Sequence, residues 1–282
     1  AEEVLGGYSI FHRTLADMSG PELESMVKKG AVAIVPIGTI EWHGPHLPLG
    51  TDVYGVYLES QLVKKILAER GIESVIVPPY YWGIVQNQRE VGWYPEMGKF
   101  IGSFSTEKDT MTACLNDLFV DLDQWGFKKI YVINFHGSPW HNSAIFEAIK
   151  KARSKNIGVY YCTWQLIVNI YESTFKKPIP LPKEAIVVVK DSTTTTWVKT
   201  HVAKSKIKIA DFHACQLETS LIWYWYPKIL LKSMGYIKKL KPVDITPEQI
   251  GEVVDGRWPL ISPLGYIGDP AAATREYGKA IC

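Results

Sequence analysis

Short apolar runs alternate with longer amphipathic segments through the first half of the chain. Residues 31–37 (AVAIVPI) form an unbroken apolar run that ends at Gly38, a pattern typical of a buried strand in a parallel sheet. Residues 53–69 follow with leucine and isoleucine at helical spacing, and Gly71 provides a helix stop. This alternation predicts an α/β fold, a three-layer αβα sandwich with a mainly parallel central sheet. Further strands are predicted at residues 74–77, 128–133 and 158–163, and further helices at residues 106–124, 141–155 and 215–226.

Two stretches lack a clear period. Residues 80–105 are rich in glycine, aromatic and polar residues, which indicates a long loop, and long loops in compact domains are often functional. Residues 176–196 contain three prolines and a run of four threonines. That composition favours an excursion from the core or an oligomerisation arm.

The length of 282 residues suits one large domain spanning residues 1–282. The core of this domain is predicted at about residues 31–226. Residues 242–282 are predicted to form an irregular C-terminal extension, because proline and glycine recur there at short intervals.

Composition and charge narrow the classes of partner. The net charge is only +2, so no strong field would attract nucleic acid or an acidic membrane. The longest apolar run, near residues 221–226, is too short to cross a bilayer. None of the four cysteines forms a C-x-x-C pair, and the amino terminus shows no secretion signal. A cytoplasmic protein is therefore expected.

The first chemically distinctive segment is GTIEWHGPHLPLGTD, at residues 38–52, where the first predicted strand ends. Ligands of open α/β sheets gather outside the carboxyl ends of the strands. In an extended chain Glu41 and His43 share a face, and a loop rich in glycine and proline can turn Asp52 back toward them. Two carboxylates and an imidazole suit zinc, manganese or iron. Taken alone, the pair Glu41 and His43 would also fit a polar loop with incidental histidines.

Three segments together resemble the creatininase (creatinine amidohydrolase) family. Residues 38–52 reproduce nearly all of the family pattern G-[ST]-x-E-[QW]-H-G-P-H-L-P-L-x-T-D. Residues 134–137 (NFHG) are similar to the family's N-G-H-G-G-N, and residues 211–220 (DFHACQLETS) are similar to its H-x-G-x-x-E-T-S. The resemblance covers roughly residues 31–226 and implies a metal-dependent hydrolase.

The resemblance further implies two divalent metal ions per chain, either zinc, manganese or iron. A water held between the ions would attack a substrate carbonyl, and His213 would relay the proton to the leaving group. The expected catalytic residues are therefore His213 and Glu218. The expected metal ligands are Glu41 and His136 for one ion, His43 and Glu218 for the other, and Asp52 for both.

The chain departs from the family pattern near His136. Phe135 replaces a glycine, and Ser138 stands where creatininase itself places a carboxylate. For that reason Glu218 is assigned to the second metal ion. His141 is the alternative ligand there, or else a surface residue that caps a helix.

The resemblance implies a small cyclic substrate that is opened at a carbonyl, such as a cyclic amide. Family members act on creatinine, on purine-derived amides, on a peptide in redox-cofactor maturation or on an inositol-derived cyclic diketone. The family's substrate loop, H-F-P-G-T-[IT]-S, is replaced here by WYPEMGKFIGSFS at residues 93–105, and the missing histidine argues against creatinine. The predicted substrate-binding residues are Trp93, Glu96, Trp140, His141 and Trp164.

Two alternatives stay open. A carbon–carbon hydrolase of inositol catabolism, acting on a diketone such as 3-dehydro-scyllo-inosose, would use polar side chains between residues 86 and 99. A non-catalytic oligomeric binding protein would engage a partner through the aromatic residues 223–226 (WYWY). The resemblance also implies a homo-oligomer, often a hexamer in the family, with residues 176–183 and 221–226 as interface candidates.

Overall fold

A computed structural model describes residues 9–85, 100–189, 211–230, 234–254 and 257–281. Within these ranges five parallel strands form one sheet in the order β2-β1-β3-β4-β5. The strands are β1 (Val32–Ile37), β2 (Ser74–Ile76), β3 (Ile130–Asn134), β4 (Val159–Trp164) and β5 (Ile186–Val189). The central strand β3 pairs with β1 through Val35 and Val132 and with β4 through Ile130 and Val159.

Helices connect and cover these strands. They are α1 (Gly20–Lys28), α2 (Thr51–Glu69), α3 (Lys108–Trp125), α4 (Pro139–Arg153), α5 (Gln165–Phe175), α6 (Gln216–Trp225), α7 (Pro227–Leu230), α8 (Met234–Ile237), α9 (Pro247–Val254), α10 (Trp258–Ile261) and α11 (Arg275–Ala280). Short 3-10 turns lie at Leu15–Asp17, Lys183–Ala185 and Pro270–Ala272. No helix in the described ranges is long and apolar enough to cross a membrane.

The two faces of the sheet pack on different helices, because successive strand residues point to opposite sides. One face packs against α3 and α4 in a large apolar cluster that includes Ala33, Val35, Val132, Met111, Phe119 and Ile145. The other face packs against α2 in a smaller cluster of Ile34, Val56, Ile76 and Ile133. The predicted αβα sandwich with a parallel sheet is confirmed.

The four predicted strands and four predicted helices are present, with ends that differ by at most two residues. The prediction of an excursion at residues 176–196 is wrong at its centre, because Ile186–Val189 form the edge strand β5 beside β4. This run is only four residues long and follows three prolines, so the sequence alone does not identify it as a strand. Its pairing with β4 does. Residues 190–196 lie outside the described ranges.

The C-terminal extension is more regular than its proline and glycine content predicts. It contains α9, α10 and α11, and α11 packs closely against α6. Trp225 of α6 donates a hydrogen bond from Nε1 to the carbonyl oxygen of Gly278, and Tyr277 is buried. Helix α11 therefore supports the helix that carries Glu218.

We predict that Gly278→Ala destabilises the protein by about 1–3 kcal/mol, because a Cβ there would clash with the carbonyl oxygen of Ser220. The matched control is Gly251→Ala on α9, where an added Cβ meets no atom within 4 Å. That control should be neutral or stabilising by up to about 1 kcal/mol. Chemical denaturation measures both changes, and equal stability of the two variants would contradict the α6–α11 contact.

Candidate metal centre and cavity

The site forms where β1 ends and α2 begins. Gly38 follows β1, and a Cβ at this position would lie 3.0 Å from backbone atoms of Asp52 and Val53. Glycine therefore allows the first turn of α2 to approach the end of the strand closely. This contact holds Asp52 beside the loop that carries Glu41 and His43.

The structure brings all five predicted metal ligands into one pocket. Asp52 Oδ1 lies 3.1 Å from His43 Nε2, and Asp52 Oδ2 lies 2.9 Å from His136 Nδ1. Glu41 Oε1 lies 3.0 Å from the same His136 nitrogen, and Glu218 Oε2 lies 4.0 Å from His43 Nε2. Each of the five residues is less than a tenth exposed.

Two groups with the composition of metal sites share Asp52, and a third combines Glu41 and His43 with His213. Of the two that share Asp52, one is Glu41, Asp52 and His136, and the other is His43, Asp52 and Glu218. Within each group the candidate ligand atoms lie within 4.8 Å of one another. Carboxylate oxygens and imidazole nitrogens are donors suited to zinc, manganese or iron, so the donor set fits divalent metal ions.

Backbone carbonyls orient the two histidines of these groups. His43 donates from Nδ1 to the carbonyl oxygen of Glu41 at 3.1 Å, and His136 donates from Nε2 to that of Ile84 at 3.2 Å. The other nitrogen of each ring faces the carboxylates. Such outer hydrogen bonds fix the tautomer and the ring orientation of histidines that bind metals.

The buried carboxylates make positive charge favourable within the cluster, as the pKa values of its members show. Burial alone would lower the pKa of His43, but Asp52, Glu218 and Glu41 together raise it to about 10. Burial is the main reason that the pKa of Glu218 is raised to about 7; the charge of His43 opposes the increase, and repulsion from Asp52 and Glu41 adds to it. Divalent cations bound among these groups would displace their protons.

Glu218 is positioned by the turn that precedes α6. Its carboxylate accepts a hydrogen bond from the backbone N–H of Ala214. Ala214 has a left-handed φ of 48°, an unusual conformation for a residue with a side chain. Cys215 follows it, and burial holds the pKa of this thiol well above its usual value, which makes the thiol a poor nucleophile.

His213 lies at the edge of the cluster. It donates a hydrogen bond from Nε2 to the carbonyl oxygen of Trp42 at 2.9 Å, while its Nδ1 is 3.8 Å from Glu41 Oε1. Burial lowers the pKa of His213 to about 4, so the ring is neutral at neutral pH. The hydrogen bond to Trp42 then leaves the lone pair on Nδ1.

Two of the predicted substrate-binding residues occupy other positions. His141 is fully buried, accepts the N–H of Ile84 on Nδ1 and donates from Nε2 to Asn134 Oδ1, so both ring nitrogens are engaged. His141 is thus held by protein partners, and its contact with substrate or a metal ion stays a prediction. The indole of Trp140 packs edge-on against Phe175 in the apolar cluster of α3 and α4, and its role in substrate binding stays a prediction.

A cavity of about 590 Å³ extends from the carboxylates between α2 and the sheet. Trp164 lines this cavity, as do Glu41, Asp52, His136, His213 and Glu218. Trp93 and Glu96, the remaining predicted substrate-binding residues, lie outside the described ranges. The candidate ligands are thus one wall of a space large enough for a small molecule.

Sequence reasoning missed two residues that hold the site together. His46 is buried, and its Nε2 lies 3.0 Å from Thr219 Oγ1, next to Glu218. Asn134 Oδ1 accepts the backbone N–H of His136 at 3.1 Å and the ring N–H of His141 at 3.2 Å. His46 belongs to the motif at residues 38–52, and Asn134 ends a strand beside His136. The sequence therefore marked both positions but did not show which residues they would contact.

The fold and the site define a parallel α/β protein with a buried carboxylate–histidine cluster of the metal-binding type. The family model for creatininase, described as creatinine amidohydrolase, matches residues 16–282. The chain belongs to the creatininase family, and it is a hydrolase of that family with a candidate metal centre.

Relatives and solved structures show how far the similarity extends. The mycofactocin precursor peptide peptidase of Mycolicibacterium smegmatis is 24% identical over 280 residues, which cover 97% of this chain and 90% of the relative. The creatinine amidohydrolase of Pseudomonas putida is 28% identical over 123 residues, covering 43% of this chain and 44% of the relative. A solved structure described as "Creatininase Mn" matches with a TM-score of 0.65 at 19% identity, over 95% of this chain and 92% of that one. At this identity the structural match supports the fold alone.

We predict that Asp52→Asn abolishes tight binding of both metal ions, because an amide cannot supply two anionic oxygens to neighbouring cations. Metal analysis after reconstitution and gel filtration should give close to two ions per chain for the wild type and almost none for the variant. Asp121→Asn is the matched control, since Asp121 is exposed on α3. An Asp52→Asn protein with normal metal content would contradict the shared role of Asp52.

Proposed function

We propose that the chain is a metal-dependent hydrolase that cleaves an amide C–N bond. The observation that carries this proposal is the position of Asp52, whose two oxygens lie 3.1 Å from His43 Nε2 and 2.9 Å from His136 Nδ1. A carboxylate shared by two groups of ligands is the arrangement expected in a two-metal hydrolytic centre.

Five residues would hold the metal ions: Glu41, His43, Asp52, His136 and Glu218. When bound, divalent ions supply Lewis-acid activation of a substrate carbonyl and of a water molecule. Zinc, manganese and iron all accept this mixed oxygen and nitrogen donor set, and one solved creatininase is described with manganese.

His213 is placed to carry a proton in this reaction. Its Nε2–H is committed to the carbonyl oxygen of Trp42, and its Nδ1 faces the side of the cavity where Glu41 lies. With its pKa lowered to about 4 by burial, the ring is neutral and ready to accept a proton on Nδ1. The protonated ring, close to the carboxylates, can then deliver that proton to the departing nitrogen.

The cavity supports an amide substrate with an apolar body. Aliphatic side chains of α2 and α5 line much of its wall, among them Leu62, Val63, Ile167 and Ile170. The volume of about 590 Å³ exceeds the needs of one small ring, so linear amides join cyclic amides as candidates. Two sequence relatives are named as a peptidase and an amidohydrolase, and this supports cleavage of C–N bonds.

Neither alternative function gains support from the described residues. The polar side chains between residues 86 and 99 that a cyclic polyol would use lie outside the described ranges, and the described wall is largely apolar away from the carboxylates. The aromatic residues 223–226 are engaged within the chain, since Trp225 bonds to Gly278 and Tyr226 donates its hydroxyl to the carbonyl oxygen of Tyr54. A homo-oligomer and a cytoplasmic location stay predictions.

We predict that metal-reconstituted protein hydrolyses at least one class in a screen of cyclic amides, formamides and short peptides. A keto-inositol serves as the carbon–carbon substrate in the same screen. Asp52→Asn should reduce turnover to background, and Asp121→Asn should leave it unchanged. Ring opening of the keto-inositol without any amide turnover would contradict the proposal.

We predict a different behaviour for His213→Gln, which removes the proton carrier and leaves the five metal ligands intact. Its kcat should fall by about 10²- to 10⁴-fold, while its metal content matches that of the wild type. Steady-state kinetics and metal analysis on the same preparation test both points. Wild-type kcat in this variant would show that His213 carries no proton.

A further inference from the structure

A carboxylate that the proposed metal centre does not use lies farther along the same cavity. Glu59 is on α2, seven residues beyond Asp52, which corresponds to about 10 Å along the helix axis. Asp52, Gly55, Glu59 and Leu62 follow one stripe of α2, and all four line the cavity. Glu59 therefore faces the cavity at a distance from the candidate metal ligands.

Among the described residues, none supplies a charged partner for this carboxylate. Glu59 Oε2 is buried without a hydrogen bond, and no described residue forms an ion pair with Glu59. The described groups whose pKa values its charge shifts are Tyr161 and Cys162 on β4, and neither is a cation. Lys129 lines the smaller cavity that Glu59 also lines, but it forms no ion pair with Glu59. Burial raises the pKa of Glu59 to about 7. A buried, unpaired carboxylate destabilises a folded protein, so its presence points to a use outside the fold.

The surroundings of Glu59 favour a cation. Trp164 and Glu59 both line this cavity and a second one of about 330 Å³ that adjoins it. A carboxylate in an apolar wall gains more from a charged donor than from a neutral one, because water screens the pair weakly there. An aromatic ring in the same wall favours the same class of ligand.

We propose that Glu59 binds an ammonium or guanidinium group at the end of the substrate remote from the cleaved bond. The distance between this cationic group and the cleaved bond rests on the proposed function, in which the substrate carbonyl is bound near Asp52. The substrate class is then an amide with an apolar chain and a cationic end, about 10 Å from the carbonyl carbon. A peptide residue with a long basic side chain belongs to this class.

Binding of two matched probes to metal-loaded protein tests this assignment without turnover. The probes are 8-aminooctanamide, with a terminal ammonium, and octanamide, which lacks it. Calorimetry should show that the wild type binds the ammonium probe at least about tenfold more tightly. At pH 6 this binding should release about one proton, because the ammonium ionises Glu59.

Glu59→Gln should remove both the preference and the proton release while leaving octanamide binding and metal content unchanged. Glu69→Gln, at the exposed end of the same helix, is the matched control and should behave as the wild type. Equal affinity for the two probes in the wild type would overturn the assignment. So would a preference that survives Glu59→Gln, or undetectable binding of the ammonium probe to the wild type.

The pH dependence of stability provides a second readout on the variant. The pKa of the Glu59 carboxyl is raised in the folded state from 4.5 to about 7, so protonation of Glu59 stabilises the folded state. This stabilisation is complete below pH 4.5 and is lost as the pH rises through 7. Glu59→Gln should lack that loss and should be more stable than the wild type at pH 8. Identical pH profiles would show that the carboxylate is already satisfied within the protein, which overturns the proposal.

The two proposals fail in different ways. If amides are hydrolysed but the ammonium probe gains nothing from Glu59, the assignment of Glu59 is wrong and the hydrolase stands. If the probe preference depends on Glu59 but no amide is hydrolysed, the cation site stands and the proposed reaction is wrong.

Discussion

Three carboxylates, those of Glu41, Asp52 and Glu218, approach one another in a pocket that is almost closed to water. Removing even one ionised carboxylate from water costs several kcal/mol unless a cation or several hydrogen bonds replace the water. Three together require positive charge among them. His43 and His136 supply it as protonated rings in the metal-free chain, because the pKa of each is raised above its usual value. Divalent metal ions would replace these protons and leave the rings as neutral ligands.

The fold brings these buried carboxylates and histidines together at one end of the sheet. The loops that follow β1 and β3 carry Glu41 and His136, the first turn of α2 carries Asp52, and the first turn of α6 carries Glu218. Each contribution has its own support, such as the close approach at Gly38 and the hydrogen bond from Ala214. The ligands come from separate elements, so the site depends on packing of the whole sheet and its helices.

Local patterns explain why much of the fold and site was predictable. Apolar runs such as residues 31–37 are unambiguous because the parallel sheet is covered on both faces. The motif at residues 38–52 marks the site because it concentrates donors where a strand ends. Helix α1 was not predicted, although the sequence carries a capping box for it, in which Ser19 N–H donates to Glu22 Oε2 at 2.7 Å. Strand β5, by contrast, is defined by pairing with β4, which a run of four residues does not reveal.

The sequence could not predict the direction in which individual side chains point. His141 and Trp140 begin α4 beside the metal centre, yet the helix turns both into contacts within the protein. Glu59 reads as an ordinary exposed glutamate on an amphipathic helix, and only the depth of the cavity shows that its carboxylate is buried. These positions depend on how α2 and α4 rotate about their own axes against the sheet, which local composition does not determine.

Anomalous diffraction at the manganese or zinc absorption edge, on crystals of reconstituted protein, would show whether the buried carboxylates hold a pair of metal ions around Asp52. We expect two anomalous peaks, one between Asp52 and His136 and the other between Asp52 and His43. A single peak, or peaks at positions that Asp52 does not reach, would contradict this expectation.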